Sequence, residues 1–258
     1  MSDRPFSDGI EAIFEVVHTL RAPDGCPWDR EQTHESLRPY LLEETYELLE
    51  AIDAGDNDKM REELGDLLLQ VAMHAEIAAE DGRFDAKQVS EAVAAKMVKR
   101  HPHVFGDISV ANADEVLRNW EHQKMHESRQ AGNTDSVVDR VPSTLPALAW
   151  ALGLQKRAAR VGFDFATPPA AAESVAEEAK ELAEVSDRDR AFEEMGDLLF
   201  AMVSLARTLK VNPEDALRVA GERFRRRFAA AEAALRSEGK TFSDLTPDEM
   251  LARWGETR

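Results

Sequence analysis

Fifteen residues, EELGDLLLQVAMHAE at 62–76, return as EEMGDLLFAMVSLAR at 193–207, an offset of 131, and this recurrence constrains the chain more than any other feature. Further matches follow in the same order. EETYELL at 43–49 returns as EEAKELA at 177–183, and EVLRNWEHQK at 115–124 as EMLARWGETR at 249–258, both at offset 134, while CPWD at 26–29 is echoed by VGFD at 161–164 at offset 135. Ordered matches at nearly constant offset are what a duplicated unit of roughly 120 residues leaves behind. Two similar domains are therefore expected, 1–139 and 140–258, joined by the polar stretch SRQAGNTDSVVDRVPSTLP at 128–146, whose Gly132, Pro142 and Pro146 give it a linker's composition.

Helical periodicity dominates both copies. Ile10, Ile13, Phe14, Val17 and Leu20 share one face, as do Met60, Leu64, Leu67, Leu68, Val71 and Ala75. The best candidate for extended structure, His103 to Val110, is interrupted by Gly106 and Asp107 and reads as a loop. The expected fold class is all-α.

Glu44 and Glu47 lie three apart on one predicted helix, and Glu63 and Asp66 three apart on the next, so each pair shares a helix face. The apolar stripe sets Leu64, Leu67, Leu68 and Val71 against a partner and leaves Glu63 and Asp66 at its edge. Four carboxylates can then converge between antiparallel helices. Crowded carboxylates repel unless a cation compensates them, and hard oxygen donors suit magnesium, with manganese as substitute, better than zinc. The other reading is a solvated acidic face, which acidic helices often carry. Recurrence of all four positions as Glu178, Glu181, Glu194 and Asp197 weighs against it, because solvated charges vary most freely between copies. Gly65 and Gly196, mid-helix beside the acidic positions at a cost of about 1 kcal/mol each relative to Ala, suggest that something packs closely against them.

A formal charge of −18 opposes an exposed nucleic-acid groove. A small anion needs only a local pocket, where a bound divalent cation inverts the field. The single cysteine, Cys26, excludes an internal disulfide and fits a reducing compartment. With no leader-like start and no run of about 18 apolar residues, the expected address is the cytoplasm, away from membranes.

Cations for such an anion recur at offset 127: Lys96, Lys99 and Arg100 in the first copy, Arg223, Arg226 and Arg227 in the second. These are either phosphate contacts or solvated helix faces. Trp120 and Trp254 close the two units, followed four residues on by Lys124 and Arg258. Their rings, like Trp28 and Phe163, read either as core anchors or as stacking surfaces for a base. His101 and His103 lack partners at zinc spacing and read as structural. Cys26, with no base beside it, is not expected to be a nucleophile.

CPWD, LLEETYELLEAI, EELGDLLLQV and KRHPHVF, then VGFDF, EEMGDLLFAMVSLAR and GERFRRRF, together resemble the tandem MazG nucleoside triphosphate pyrophosphohydrolases of bacteria, from about residue 10 onward. The resemblance implies a MazG-like all-α fold, a homodimer, hydrolysis of canonical or non-canonical nucleoside triphosphates to monophosphate and pyrophosphate, and a role in nucleotide-pool cleaning or the stringent response. It places metal ligands on Glu44, Glu47, Glu63 and Asp66, and on Glu178, Glu181, Glu194 and Asp197. Nucleotide contacts fall on Lys124, Arg190, Arg223, Arg227 and Trp254, with Arg190 and Arg223 standing where the family often has Lys. A departure is that residues 182–193 make a shorter connection between the acidic pairs than residues 48–62.

The expected mechanism is in-line attack by a water on a metal-bound triphosphate, with one glutamate accepting a proton. Catalysis is expected in the second copy, on Glu178, Glu181, Glu194 and Asp197, because its basic helix is richer. The rival readings are a non-catalytic nucleotide- or partner-binding regulator and a narrow dUTPase-like or phosphoribosyl-ATP hydrolase.

Overall fold

The computed structural model describes residues 6–112, 136–164 and 167–256, with 115, 116, 119, 120 and 123 between them. The described residues form eleven α-helices and no strand. The chain divides into two compact units, Met1–Gly132 and Asn133–Arg258. Part of the stretch expected to be a linker lies outside the described residues, and part belongs with the second unit. Arg157 donates to the main-chain oxygens of Val137 and Arg140, and Val141 is buried.

The first unit comprises α1 (Glu11–Arg21), α2 (Pro27–Glu31), α3 (Arg38–Ala54), α4 (Asn57–Glu80), α5 (Ala86–Arg100) and α6 (Pro102–Phe105), the last a single turn inside the segment read as a loop. α4 is the axis, packed by α1, α3 and α5. Two residues join α3 to α4. Gly55, at φ 66°, takes the left-handed conformation that ends α3, and the Asp56 carboxylate then accepts the Asp58 and Lys59 amides to start α4. The core gathers Val17 of α1, Leu37, and Ala72, Met73 and Ile77 of α4. Truncating a side chain buried as Leu37 is would cost about 2–5 kcal/mol.

The second unit comprises α7 (Ala147–Arg160), α8 (Pro168–Glu184), α9 (Arg188–Thr208), α10 (Pro213–Ser237), a 3₁₀ turn (Phe242–Asp244) and α11 (Pro247–Glu256). Here α9 is the axis, packed by α7 and α8. Asp187, at offset 131 from Asp56, caps α9 by accepting the Arg190 amide. Its core is smaller, built on Ala151, Leu152 and Val203. The connection between the acidic pairs is shorter because α8 ends three residues after Glu181 whereas α3 runs seven past Glu47, one helical turn more; the loops themselves are three and two residues.

The face of α4 turned inward differs from the one that periodicity suggests. Leu64 is 51% exposed and Val71 is exposed too, whereas Glu63, Gln70, Met73 and Ile77 are buried. Apolar residues occupy two sides of α4, and the side carrying Glu63 is the one that meets the rest of the unit. α9 repeats the outward stripe with Met195, Leu199 and Met202 exposed. Nor does anything among the described residues pack on the mid-helix glycines: apart from the helix's own backbone, none of their atoms lies within 4 Å of a Cβ built at Gly65 or Gly196.

Candidate active site

In each hairpin the acidic pairs converge, but three residues at a time. Oxygens of Glu44, Glu63 and Asp66 lie within 4.8 Å of one another, and so do those of Glu178, Glu194 and Asp197. Glu47 and Glu181 stand outside these groups. Both remain close enough to act electrostatically, Glu47 on Glu44 and Glu63, Glu181 on Glu178.

The charges are only partly compensated. Glu63 is 3% exposed, and the Lys59 ammonium lies 3.8 Å away, one turn earlier on α4. Burial, then the charge of Glu47, pushes the Glu63 carboxyl above its ordinary range despite Lys59. Burial and the neighbouring carboxylates raise Glu44, led by Asp66, and Glu178, led by Glu181, in the same sense. Three carboxylate oxygens drawn together at such a cost are a donor set for a hard divalent cation.

Lys59 was not among the residues singled out from sequence, although its signal was present: it lies 131 residues before Arg190. Arg190 makes the equivalent contact in the second unit, 3.3 Å to Glu194. Arg227 lies over the Trp254 ring at 4.1 Å and donates to its main-chain oxygen, so two expected nucleotide contacts are brought together. Trp254 also packs on Phe224, with ring centroids 5.1 Å apart. Arg223 is exposed one turn before Arg227 on α10, and Lys124 lies outside the described residues. In the first unit Trp120 packs beside His101, whose Nδ1 meets the Met97 oxygen, the structural role expected for this histidine.

A cleft of about 640 Å³ opens on the second triad. Glu178 and Asp197 line it, together with Phe163, Phe200, Gln155 and Ser174. Its volume is that of a pocket for a drug-sized ligand. Phe163, ambiguous from sequence, is 82% exposed and is a wall of the cleft. The loop carrying it is fixed by Arg207 of α9, which binds the Asp164 carboxylate with both terminal nitrogens. The first unit anchors its CPWD loop by a different arginine. Arg21 of α1 binds Glu80 through two 2.7 Å bonds and also donates to the Asp29 and Gln32 main-chain oxygens. The positions of Phe163 and Ser174 are occupied in the first unit by Trp28 and Tyr40, which meet edge-on at 6.1 Å.

No helix among the described residues is long and apolar enough to cross a membrane. Residues 32–105, which include the first triad, match the MazG nucleotide pyrophosphohydrolase domain. The chain is 42% identical over 249 residues to the nucleoside triphosphate pyrophosphohydrolase/pyrophosphatase MazG of Thermotoga maritima, covering 96% of this chain and 95% of that protein. It is 43% identical over 255 residues to the nucleoside triphosphate pyrophosphohydrolase of Escherichia coli K12, covering 96% and 97%. It is also 46% identical over 247 residues to the YabN protein of Bacillus subtilis, of which it spans 50%. Likeness of this extent, running through both acidic triads, shows that the chain belongs to the MazG nucleotide pyrophosphohydrolase family.

Proposed function

We propose that the protein hydrolyses nucleoside triphosphates to monophosphate and pyrophosphate, and that the second unit carries the reaction with Mg²⁺ held by Glu178, Glu194 and Asp197. The observation that supports this most is the convergence of those three carboxylates, two of which, Glu178 and Asp197, line a nucleotide-sized cleft. Mn²⁺, another hard cation, is the expected substitute.

When bound, the cation screens the triphosphate and lowers the pKa of a coordinated water. Water adds to the α-phosphorus as the bond from that phosphorus to the α–β bridging oxygen breaks, and the pyrophosphate leaves with the electron pair. Glu181, one turn from Glu178 and outside the converging group, accepts the water's proton in this reading, because a ligand carboxylate is a weaker base. Arg190 beside Glu194, with Arg223 and Arg227, neutralises charge on the polyphosphate. Trp254, under Arg227, orients that arginine.

The first unit keeps the triad Glu44, Glu63 and Asp66, with Glu47 beside it, and we read it as a second metal site without an equally open cleft. The outward stripes, Leu64 and Val71 on α4 and Met195, Leu199 and Met202 on α9, suit a homodimer, since isolated domains rarely leave such faces uncovered. A net charge of −18 fits a cytoplasmic enzyme of small anionic substrates that does not hold nucleic acid.

Release of pyrophosphate and monophosphate from a panel of ribo- and deoxyribonucleoside triphosphates, with Mg²⁺ and with EDTA, tests the reaction. Equal, metal-dependent release of both products is expected. Loss of turnover in Glu194→Ala with substantial turnover kept in Glu63→Ala would support the second unit as the site; the reverse pattern would move the chemistry to the first.

A further inference from the structure

Gln155 lies on α7 and lines the cleft of the second unit, yet the residue is only 7% exposed. Its Nε2 donates to the main-chain oxygen of Phe200 at 2.8 Å. That contact fixes which way the amide faces, because the flipped rotamer would set oxygen against oxygen. The Oε1 atom is then buried with no hydrogen-bond partner among the described residues. Native proteins seldom leave a buried amide oxygen without a donor, and because Gln155 belongs to the lining of the cleft, a ligand that enters can supply one.

We propose that Gln155 Oε1 accepts a hydrogen bond from the nucleobase of the substrate and so positions the base beside Phe163 and Phe200. This rests on the reading that Glu178 and Asp197 hold the polyphosphate end of the same molecule. The chemistry of the acceptor defines the ligand class. Adenine and cytosine offer an exocyclic amine on the pairing edge, and guanine and uracil a ring N–H. A single oxygen therefore accepts from every ordinary base and discriminates against one whose pairing edge has lost its N–H. The aromatic walls supply area without selecting among bases.

The test compares three substrates in the intact protein with Mg²⁺: UTP, its N3-methyl analogue, and ribose 5-triphosphate, which has no base. In the unaltered enzyme N3-methylation is expected to raise KM about tenfold while kcat stays within about twofold. Gln155→Met is expected to raise KM for UTP by a similar factor, to no longer distinguish UTP from the methylated analogue, and to process ribose 5-triphosphate as the unaltered enzyme does. Loss of the methyl penalty in the variant separates a missing hydrogen bond from steric exclusion of the methyl group. The proposal is overturned if UTP and its analogue perform alike in the unaltered enzyme, if the methyl penalty persists in Gln155→Met, or if the variant impairs ribose 5-triphosphate equally. Even if Gln155→Met does not fold, equal performance of UTP and its analogue in the unaltered enzyme overturns the proposal. Full turnover of all three substrates by Glu194→Ala would instead remove the underlying site, a failure told apart because it does not depend on the base.

Discussion

His34 and His74 meet Nδ1 to Nδ1 at 2.7 Å, their rings stacked within 6° of parallel. One nitrogen must donate and the other accept. Arg83 settles which: its guanidinium donates to His34 Nε2 at 2.8 Å, so His34 carries its proton on Nδ1 and His74 accepts there. The remaining Nε2–H of His74 is buried without a partner among the described residues. A second proton on either ring breaks the arrangement. Burial, and then the neighbouring His34, hold the His74 pKa below 6.5.

This pair gives the first unit an acid sensitivity with a defined sign. A histidine whose folded pKa is lowered binds protons more readily when unfolded, so its contribution is complete above about 6.5 and falls away as pH drops through the lowered value. The thermal midpoint of the first unit is expected to decline between about pH 7 and pH 5, and His74→Leu should flatten that slope. Equal slopes in the two proteins, followed by calorimetry, would place the acid sensitivity elsewhere.

The carboxylates behave in the opposite sense. Glu178 has a raised pKa, through burial first and Glu181 second, so ionising it at neutral pH opposes folding, and stability declines as pH rises through its raised value. Two consequences follow for the protein freed of metal. Glu178→Gln should have a higher melting midpoint than the unaltered protein at pH 7 while losing turnover, and Mg²⁺ should raise the midpoint of the unaltered protein more than that of the variant. A variant that melts lower in EDTA would show that the carboxylate is already compensated within the chain.

Residues 62–66 and 193–197 were legible as candidate sites because both residue type and spacing recur, and a carboxylate repeated in register needs a reason that a solvated face does not supply. The orientation of α4 was not legible. Leu64, Leu67, Leu68 and Val71 make one apolar stripe and Leu69, Met73 and Ile77 another, and periodicity does not say which meets α1 and α3. The structure chose the second, which turned Glu63 inward. Gly65 and Gly196 misled for a related reason: their cost is visible in sequence, whereas the open space around them is not. The cleft was out of reach because Gln155, Phe163, Ser174 and Phe200 come from separate elements, and a lone Gln in an amphipathic helix carries no signal. Lys59 could have been found, since the offset of 131 maps it onto Arg190.

Gly25 shows where the first unit tolerates no side chain. A Cβ at this position would sit 2.3 Å from the main-chain oxygen of Leu20 and 2.5 Å from that of Thr19. Those oxygens belong to the last turn of α1 and the Cys26 amide donates to the first, so neither can yield without unwinding the helix end. Gly25→Ala should cost about 1–3 kcal/mol, read as a lower denaturant midpoint for the first unit. Gly82→Ala makes the useful contrast, because it has φ 67° but nothing within 4 Å of its Cβ; its cost should be the smaller and purely conformational. Equal loss in the two variants would mean that the approach to Leu20 relaxes freely.

Ser174 and Tyr40 occupy equivalent places, 134 residues apart, and differ by an aromatic ring. In the first unit that ring reaches Trp28; in the second Ser174 and Phe163 leave the cleft open beside Glu178. Ser174→Tyr should therefore close the cleft from inside its own unit without touching a carboxylate. The expected result is a fall in kcat/KM for nucleoside triphosphates of about tenfold or more, with Mg²⁺ still raising the melting midpoint because the triad is intact. Ribose 5-triphosphate should suffer less than any nucleotide, since what the new ring displaces is the base. Unchanged nucleotide turnover would show that the base lies outside this cleft, and loss of the Mg²⁺ effect would show that the ring disturbed α8 itself.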